Sequence, residues 1–413
     1  MDTITHGIVG ALAGKAFFAG RDVPAVFAKG RQAPALSSPT ARAAIVACTL
    51  GAMFPDIDIF AGPLAHNPLA IMEWHRNITH SAIMPPLWAL ILTLISVPLA
   101  RLVKWETPPV LNLFVIYAVA VGTHIFLDLI TSFGTMVWSP LNYSRPAWDW
   151  IFILDLSLTA MALVPQFAAW CYREPAQFLR RSIAIWALLT AGGFGTYLFA
   201  RAAGYGFPAW VCASLSAIFA AIIFLPASSG VGFGWTRARW CRAGLAMVCV
   251  YIALAAATHR RALAQVQKFA AEQHLSVESL AALPLPPTFT HWVGIVSTPE
   301  GVWRTTFHEP SGVVENTQLY LDAKSIPMVE QAMKLRDVRV YLWFARFPVW
   351  RVVRREGNET ALEISDVRFV RDGDPSASRS LARAARPRRA GFTFQIIFDA
   401  QGRVISDGFK EPE

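Results

Sequence analysis

Histidines and aspartates of metal-ligand type crowd the apolar first part of this 413-residue chain, and their spacing is where chemistry can be read. His124 and Asp128 stand four residues apart inside an apolar run, so on a helix both project from one face. Asp56 and Asp58 flank Ile57 just after Pro55, where a helix stops and the chain turns. The block His75-Arg76-Asn77-Ile78-Thr79-His80-Ser81 leads straight into another apolar run. Its five-residue histidine spacing does not suit one helical face, so part of it is irregular backbone. His6 lies at the start of one apolar segment and Asp155 near the start of a later one. Imidazole with carboxylate suits zinc and similar divalent metals, and ionisable groups at membrane depth are costly enough to mark function. Each piece also has a plain structural reading. His124 and Asp128 can hydrogen-bond each other across one turn, Asp56 and Asp58 can serve as a helix stop, and His6 can be a packing contact. Arg76 and Arg145 suit either a substrate anion or lipid headgroups reached by snorkelling.

Lipid-embedded helices have to carry these residues. Hydrophobic residues make up 54% of the chain and charged residues 16%, where a soluble domain carries about 25% charged. Six runs approach the roughly 20 apolar residues needed to cross a bilayer: Ala82–Val103, Val110–Thr131, Ile151–Tyr172, Ser182–Ala200, Phe207–Leu225 and Trp240–Ala257. Two shorter runs, Ile4–Ala19 and Ala43–Phe54, precede them as partial spans or a helical hairpin. Gly7, Gly10 and Gly14 give the first a smooth face for close packing. Cys48, Cys171, Cys212, Cys241 and Cys249 all lie in or beside apolar runs and imply no disulfide framework.

Charge divides the chain. Residues 1–257 hold only 10 of the 28 acids, so the expectation is a mainly α, polytopic membrane domain over 1–257 and a β-rich α+β soluble domain over 258–413. If every run crosses, one side receives Arg21, Lys29, Arg31, Arg42, Arg101, Lys104, Arg173, Arg180, Arg181, Arg237, Arg239 and Arg242. The other side has Arg76, Arg145 and Arg201. Twelve against three marks the first side as cytoplasmic. The His/Asp set and the tail then lie on the non-cytoplasmic side of a cell (inner) membrane. The same bias accounts for the +9 net charge without a nucleic-acid partner. In the tail, a helix is expected over Arg260–Leu283. Strands are expected at Trp292–Ser297, Gly301–Phe307, Arg339–Phe347, Val349–Arg354, Ala361–Val370 and Phe392–Phe398, with a closing hairpin into Arg403–Ser406. Asp372–Ala390 reads as a loop, and His259, His274, His291 and His308 show no ligand spacing.

Several of these blocks, in order, resemble the YdjM-like membrane-bound metal-dependent hydrolases. They are Met1-Asp2-Thr3-Ile4-Thr5-His6-Gly7, Pro55-Asp56-Ile57-Asp58, His75-Arg76-x-x-Thr79-His80-Ser81, His124-x-x-Leu127-Asp128, Thr131-Ser132-Phe133-Gly134-Thr135 and Arg145…Asp149…Phe152-Ile153-Leu154-Asp155. The resemblance covers about residues 1–165. The family is grouped with zinc-dependent phospholipases C and P1-type nucleases, which hydrolyse phosphoesters with clustered zinc ions. It implies that His75, His80, His124 and Asp128 are metal ligands, that Asp56, Asp58 and His6 complete the site, and that Asp155 is a further candidate.

The expectation is therefore a membrane hydrolase in which a divalent metal, Zn²⁺ first and Mn²⁺ as the alternative, activates water against a phosphoester of a lipid or lipid-linked substrate. Asp56 or Asp58 would take the proton, and Arg76 and Arg145 would bind substrate. The rival is a non-enzymatic metal-binding membrane protein: a sensor, transporter or regulator.

Overall fold

The computed structural model describes residues 1–19, 39–65, 68–202, 209–285, 290–354, 359–370 and 392–410. The first helix, α1 (Thr3–Phe18), is started by Asp2, whose side chain accepts from the Thr5 amide at 2.9 Å. It packs along α2 (Pro39–Met53), and the glycine stripe is the reason the two can lie so close. A Cβ on Gly10 would fall 2.6 Å from the Cys48 carbonyl oxygen and 2.7 Å from the Ala52 methyl. Pro55 then turns α2 into a 3-10 segment, Phe54–Phe60. After the histidine block come α3 (Pro85–Leu102) and α4 (Val110–Leu129), the latter packed on Gly51 of α2.

The remaining helices are α5 (Leu156–Cys171), α6 (Phe178–Ala202), α7 (Trp210–Ser228) and the 36-residue α8 (Arg237–Glu272). Among the described residues, five stretches are long and apolar enough to cross a membrane: Pro39–Phe60, α3, α4, α7 and α8. The run expected over Ile151–Tyr172 is shortened at its start, because Ile151 bridges to Thr131 and Asp155 caps α5. Polar side chains tie α1, α5 and α8 together inside the bundle. Lys15 donates to Gln166, Gln166 to the Ile8 carbonyl at 3.1 Å, and Arg242 to the Ala16 carbonyl at 3.0 Å.

Two antiparallel four-stranded meanders follow. The first is β1 (Ser279–Pro284), β2 (His291–Thr298), β3 (Gly301–His308) and β4 (Val313–Leu321). It buries Trp292, Val296 and Phe307 against Ala262, Val266 and Ala270 of α8. The second is β5 (Pro348–Arg354), β6 (Thr360–Asp366), β7 (Thr393–Phe398) and β8 (Val404–Phe409), preceded by α9 (Pro327–Ala332) and α10 (Arg336–Phe344). Its core of Tyr341, Phe344, Trp350, Leu362, Ile364, Phe394 and Ile396 continues into Leu69, Met72 and Phe133 of the helical part. The β-rich part is thus seated on the bundle.

Three sequence expectations change. The helix expected over Arg260–Leu283 is the end of α8 followed by β1, so α8 runs unbroken through the compositional boundary at Thr258. Arg339–Phe347, expected as a strand from its β-branched and aromatic content, is mostly α10. Val338, Tyr341 and Phe344 are buried at three-residue intervals, which is helical spacing. The fourth strand, β4, was not anticipated because it is exposed over most of its length and the polar run Glu315–Gln318 interrupts its apolar residues. The expected loop over Asp372–Ala390 and the basic residues Arg21, Lys29 and Arg31 lie outside the described residues.

Gly10 tests the helical contact. Gly10→Val forces α1 off α2 and should cost about 1–3 kcal/mol, the usual range for overpacking. This reads out as a lower unfolding midpoint in detergent. An unchanged midpoint would refute the close approach.

Candidate metal centre

The ends of α2 and α4 and the loop before α3 meet at one end of the bundle. Asp56 comes from the 3-10 turn, His80 from a short 3-10 segment (Ile78–His80), and His124 and Asp128 from the last turns of α4. All four side chains are buried. His80 Nε2 lies 3.0 Å from His124 Nε2, 3.4 Å from Asp56 Oδ1 and 3.1 Å from Asp128 Oδ2. His124 Nε2 lies 3.4 Å from Asp56 Oδ1 and 3.6 Å from Asp128 Oδ2. Ligand atoms on one tetrahedral zinc, with bonds of about 2.0–2.2 Å, stand roughly 3.3–3.6 Å apart. The four atoms therefore already have nearly the spacing of a two-nitrogen, two-oxygen metal cage. Asp56 Oδ1 and Asp128 Oδ2 are shielded from solvent and accept no aligned hydrogen bond, so a cation would complete both.

The surrounding groups aim the ligands. His124 donates from Nδ1 to the Ala52 carbonyl at 2.6 Å, which leaves the Nε2 lone pair facing the cage. His80 is oriented from its other side, where Nδ1 sits 3.2 Å from Asp58 Oδ2. Thr3 donates to Asp56 Oδ2 at 2.6 Å. The Met1 ammonium and His6 Nε2, at 3.1 Å, both face Asp128 Oδ1. Burial alone would lower the His80 pKa, but the facing carboxylates of Asp128, Asp56 and Asp58 reverse this and raise it to about 10.

Other sequence candidates fall in distinct places. Asp58 is adjacent to the cage rather than in it. Its oxygens face His75 Nδ1 at 2.7 Å, the Thr79 hydroxyl at 2.7 Å and the Arg76 amide at 3.1 Å, and it forms a second possible ligand group with His75 and His80. His6 stacks on His124 with ring centroids 3.6 Å apart, flanking the cage. Arg76 is fully buried. Its Nε is 2.9 Å from Asp128 Oδ2, and its left-handed φ of 61° is held by the Asp58 contact to its amide. A non-glycine residue in that conformation costs roughly 1–3 kcal/mol, so surrounding bonds must enforce it.

Asp155 and Arg145 are not brought into the cluster. Asp155 caps α5 by accepting from the Ser157 and Leu158 amides and takes a 2.6 Å hydrogen bond from Tyr251. Both its oxygens are engaged in joining α5 to α8. Arg145 donates to the Met72 and Gly134 carbonyls at 3.0 and 3.1 Å, and its guanidinium lies over Phe133, Trp343 and Phe344. It stitches the loop after α4 to α10. Asp149 likewise pairs with Arg346 at 2.9 Å. His66 lies outside the described residues. The supporting hydroxyls Thr3, Thr79 and Thr131 were missed. Their signal was present, since each sits within three residues of a His or Asp of the cluster in sequence or follows one directly in a turn.

Residues 1–205 match the model of a family described as YdjM inner membrane protein. No curated protein and no solved structure matches the chain.

The geometry separates ligand from cap. His124→Ala should lose bound metal, read by elemental analysis of detergent-purified protein. Asp155→Ala should keep it while losing about 0.5–2 kcal/mol of stability through the cap. Equal metal content in wild type and His124→Ala would remove the cage.

Proposed function

We propose that this chain, which through residues 1–205 belongs to the YdjM inner membrane protein family, is a membrane-bound metal-dependent hydrolase acting on a phosphoester of a lipid or lipid-linked substrate. The observation that carries this is the convergence of Asp56, His80, His124 and Asp128 at metal-ligand spacing. The phosphoester rests on the expected grouping of that family with zinc-dependent phospholipases C and P1-type nucleases. A lipid-linked substrate follows from the membrane location. A divalent cation held there would supply Lewis acidity toward a phosphoryl oxygen and would acidify water.

The chain's own residues supply the rest. His75 and Asp58 keep 12% and 9% side-chain exposure at the edge of a cluster whose other members are almost fully enclosed. Substrate and water would therefore arrive on the His75 side. His75 has its pKa lowered by burial, with Asp58 opposing the shift, so it is available as a neutral base. Asp58 fixes its ring through the 2.7 Å contact to Nδ1. Asp58 then acts on the proton through His75, and Asp56 serves as ligand. Arg76 holds Asp128 in place. Four protein atoms fill a tetrahedron, so turnover needs an ion that accepts a further ligand, as Zn²⁺ can and as Mn²⁺ does readily.

That same closure favours the second reading, a non-enzymatic metal-binding membrane protein, because structural sites are closed by four protein ligands. Against a transporter stands the position of the cage at one end of the bundle, beside the seated β-rich part, rather than midway along it.

Activity on a panel of lipid and lipid-linked phosphoesters with added Zn²⁺ or Mn²⁺ decides between the two. Asp128→Asn should abolish both metal retention and turnover. His75→Ala should keep the metal and lose about 10²–10⁴-fold in kcat, the range for general acid–base groups. A folded, metal-loaded protein that cleaves no phosphoester would favour the non-enzymatic reading. The charge bias of the loops supports an orientation with the cage and the tail outside the cytoplasm. A single Cys replacing the exposed Gln401 should react with a membrane-impermeant maleimide in spheroplasts, and protection until lysis would reverse the orientation.

A further inference from the structure

His291, His308 and Glu315 are far apart in the sequence pattern but are brought together on the first sheet. His291 and His308 are directly opposite each other across β2 and β3, with ring centroids 3.3 Å apart. Glu315 reaches them through an irregularity in β4. The register pairs Thr306 with Asn316 and Phe307 with Val314, so Glu315 is the extra residue of a bulge. A bulge bends its strand and re-aims a side chain, and here Glu315 Oε1 lies 2.8 Å from His308 Nε2.

This end of the sheet is fixed on both sides. The Gly312 amide donates to the His308 carbonyl at 2.7 Å, and the Glu309 amide donates to the Thr290 carbonyl at 2.7 Å. One ligand atom from each of the three residues lies within 4.8 Å of the others, with His308 and Glu315 solvent-accessible at 33% and 48%.

An exposed His–Glu ion pair contributes little to stability and does not call for a second imidazole. Two imidazoles in direct cross-strand contact repel when both are protonated. Two histidines and a glutamate are a set that zinc accepts with a fourth position left open.

We propose that His291, His308 and Glu315 form a second divalent-cation site of the zinc class at the end of the first sheet where β2 and β3 pair His291 with His308, separate from the cage in the bundle and open to solvent at its fourth position. Small side-chain rotations bring the three atoms to the roughly 3.3 Å separation of ligands on one ion.

The test is equilibrium dialysis of the full-length, detergent-purified protein against Zn²⁺ and Co²⁺, with elemental analysis and the visible Co²⁺ spectrum as readouts. His124→Ala, which disables the cage, should still retain one ion. Adding His291→Ala and His308→Ala should remove that ion and its Co²⁺ bands. Glu315→Gln preserves shape, guards against misfolding of the double histidine variant, and should weaken this binding at least about tenfold. If the histidine variants and Glu315→Gln bind the same ions with the same spectrum as their parent, the three residues are an ordinary ion-pair cluster and the site does not exist.

Discussion

Three carboxylates enclosed at the end of an apolar helix bundle are the constraint around which the rest is arranged. Asp56, Asp58 and Asp128 are each 9% exposed or less at the side chain. An uncompensated buried charge costs several kcal/mol even after relaxation, so each oxygen must face a donor or a cation. Asp128 meets this with Arg76, His6 and the Met1 ammonium, Asp58 with His75 and Thr79, and Asp56 with Thr3. The two oxygens left without aligned hydrogen bonds are both cage atoms. Electrostatic need and ligand geometry therefore point to the same place.

Backbone features far from the cage follow from that need. The close approach of α1 and α2 sets His6 and Thr3 beside the end of α2. The left-handed turn at Arg76 lets its amide and guanidinium serve two different aspartates. The loop after α4 is pinned from outside by the β-rich part, through Arg368 on the Ser132 carbonyl and Arg346 on Asp149. Phe133 lies in this seam, with the guanidinium of Arg76 at 4.9 Å on one side and the Phe344 ring at 5.2 Å on the other. The packing of the outer domain is thereby coupled to the residue that neutralises Asp128.

Much of this was legible in the residues, for physical reasons that differ from element to element. Helical spans announce themselves by apolar length, and the His124/Asp128 spacing permits one orientation only on a helix. Asp56 and His80 were equally visible as candidates, because a polar side chain in an apolar neighbourhood stands out. What was hidden depended on neighbours remote in sequence. Asp155 looks like Asp128 in a one-dimensional reading, and only the Ser157 and Leu158 amides and Tyr251 make it a cap. Arg145 looks like a substrate clamp until Trp343 and Phe344, almost 200 residues on, close over it. The pairing of His291 with His308 required strand register, and the placement of Glu315 required a bulge, neither of which leaves a periodic trace.

The continuity of α8 has a mechanical consequence. At 1.5 Å per residue its 36 residues extend about 54 Å, whereas the hydrocarbon layer is about 30 Å thick. Helix in excess of a single crossing emerges as a rigid post, and the first sheet is fastened to its side through Val266 and Ala270. With the second sheet bolted to the loops around the cage, the post and the loops form two legs of one frame. The β-rich part is then held against the loops that surround the cage rather than swinging as a tethered domain.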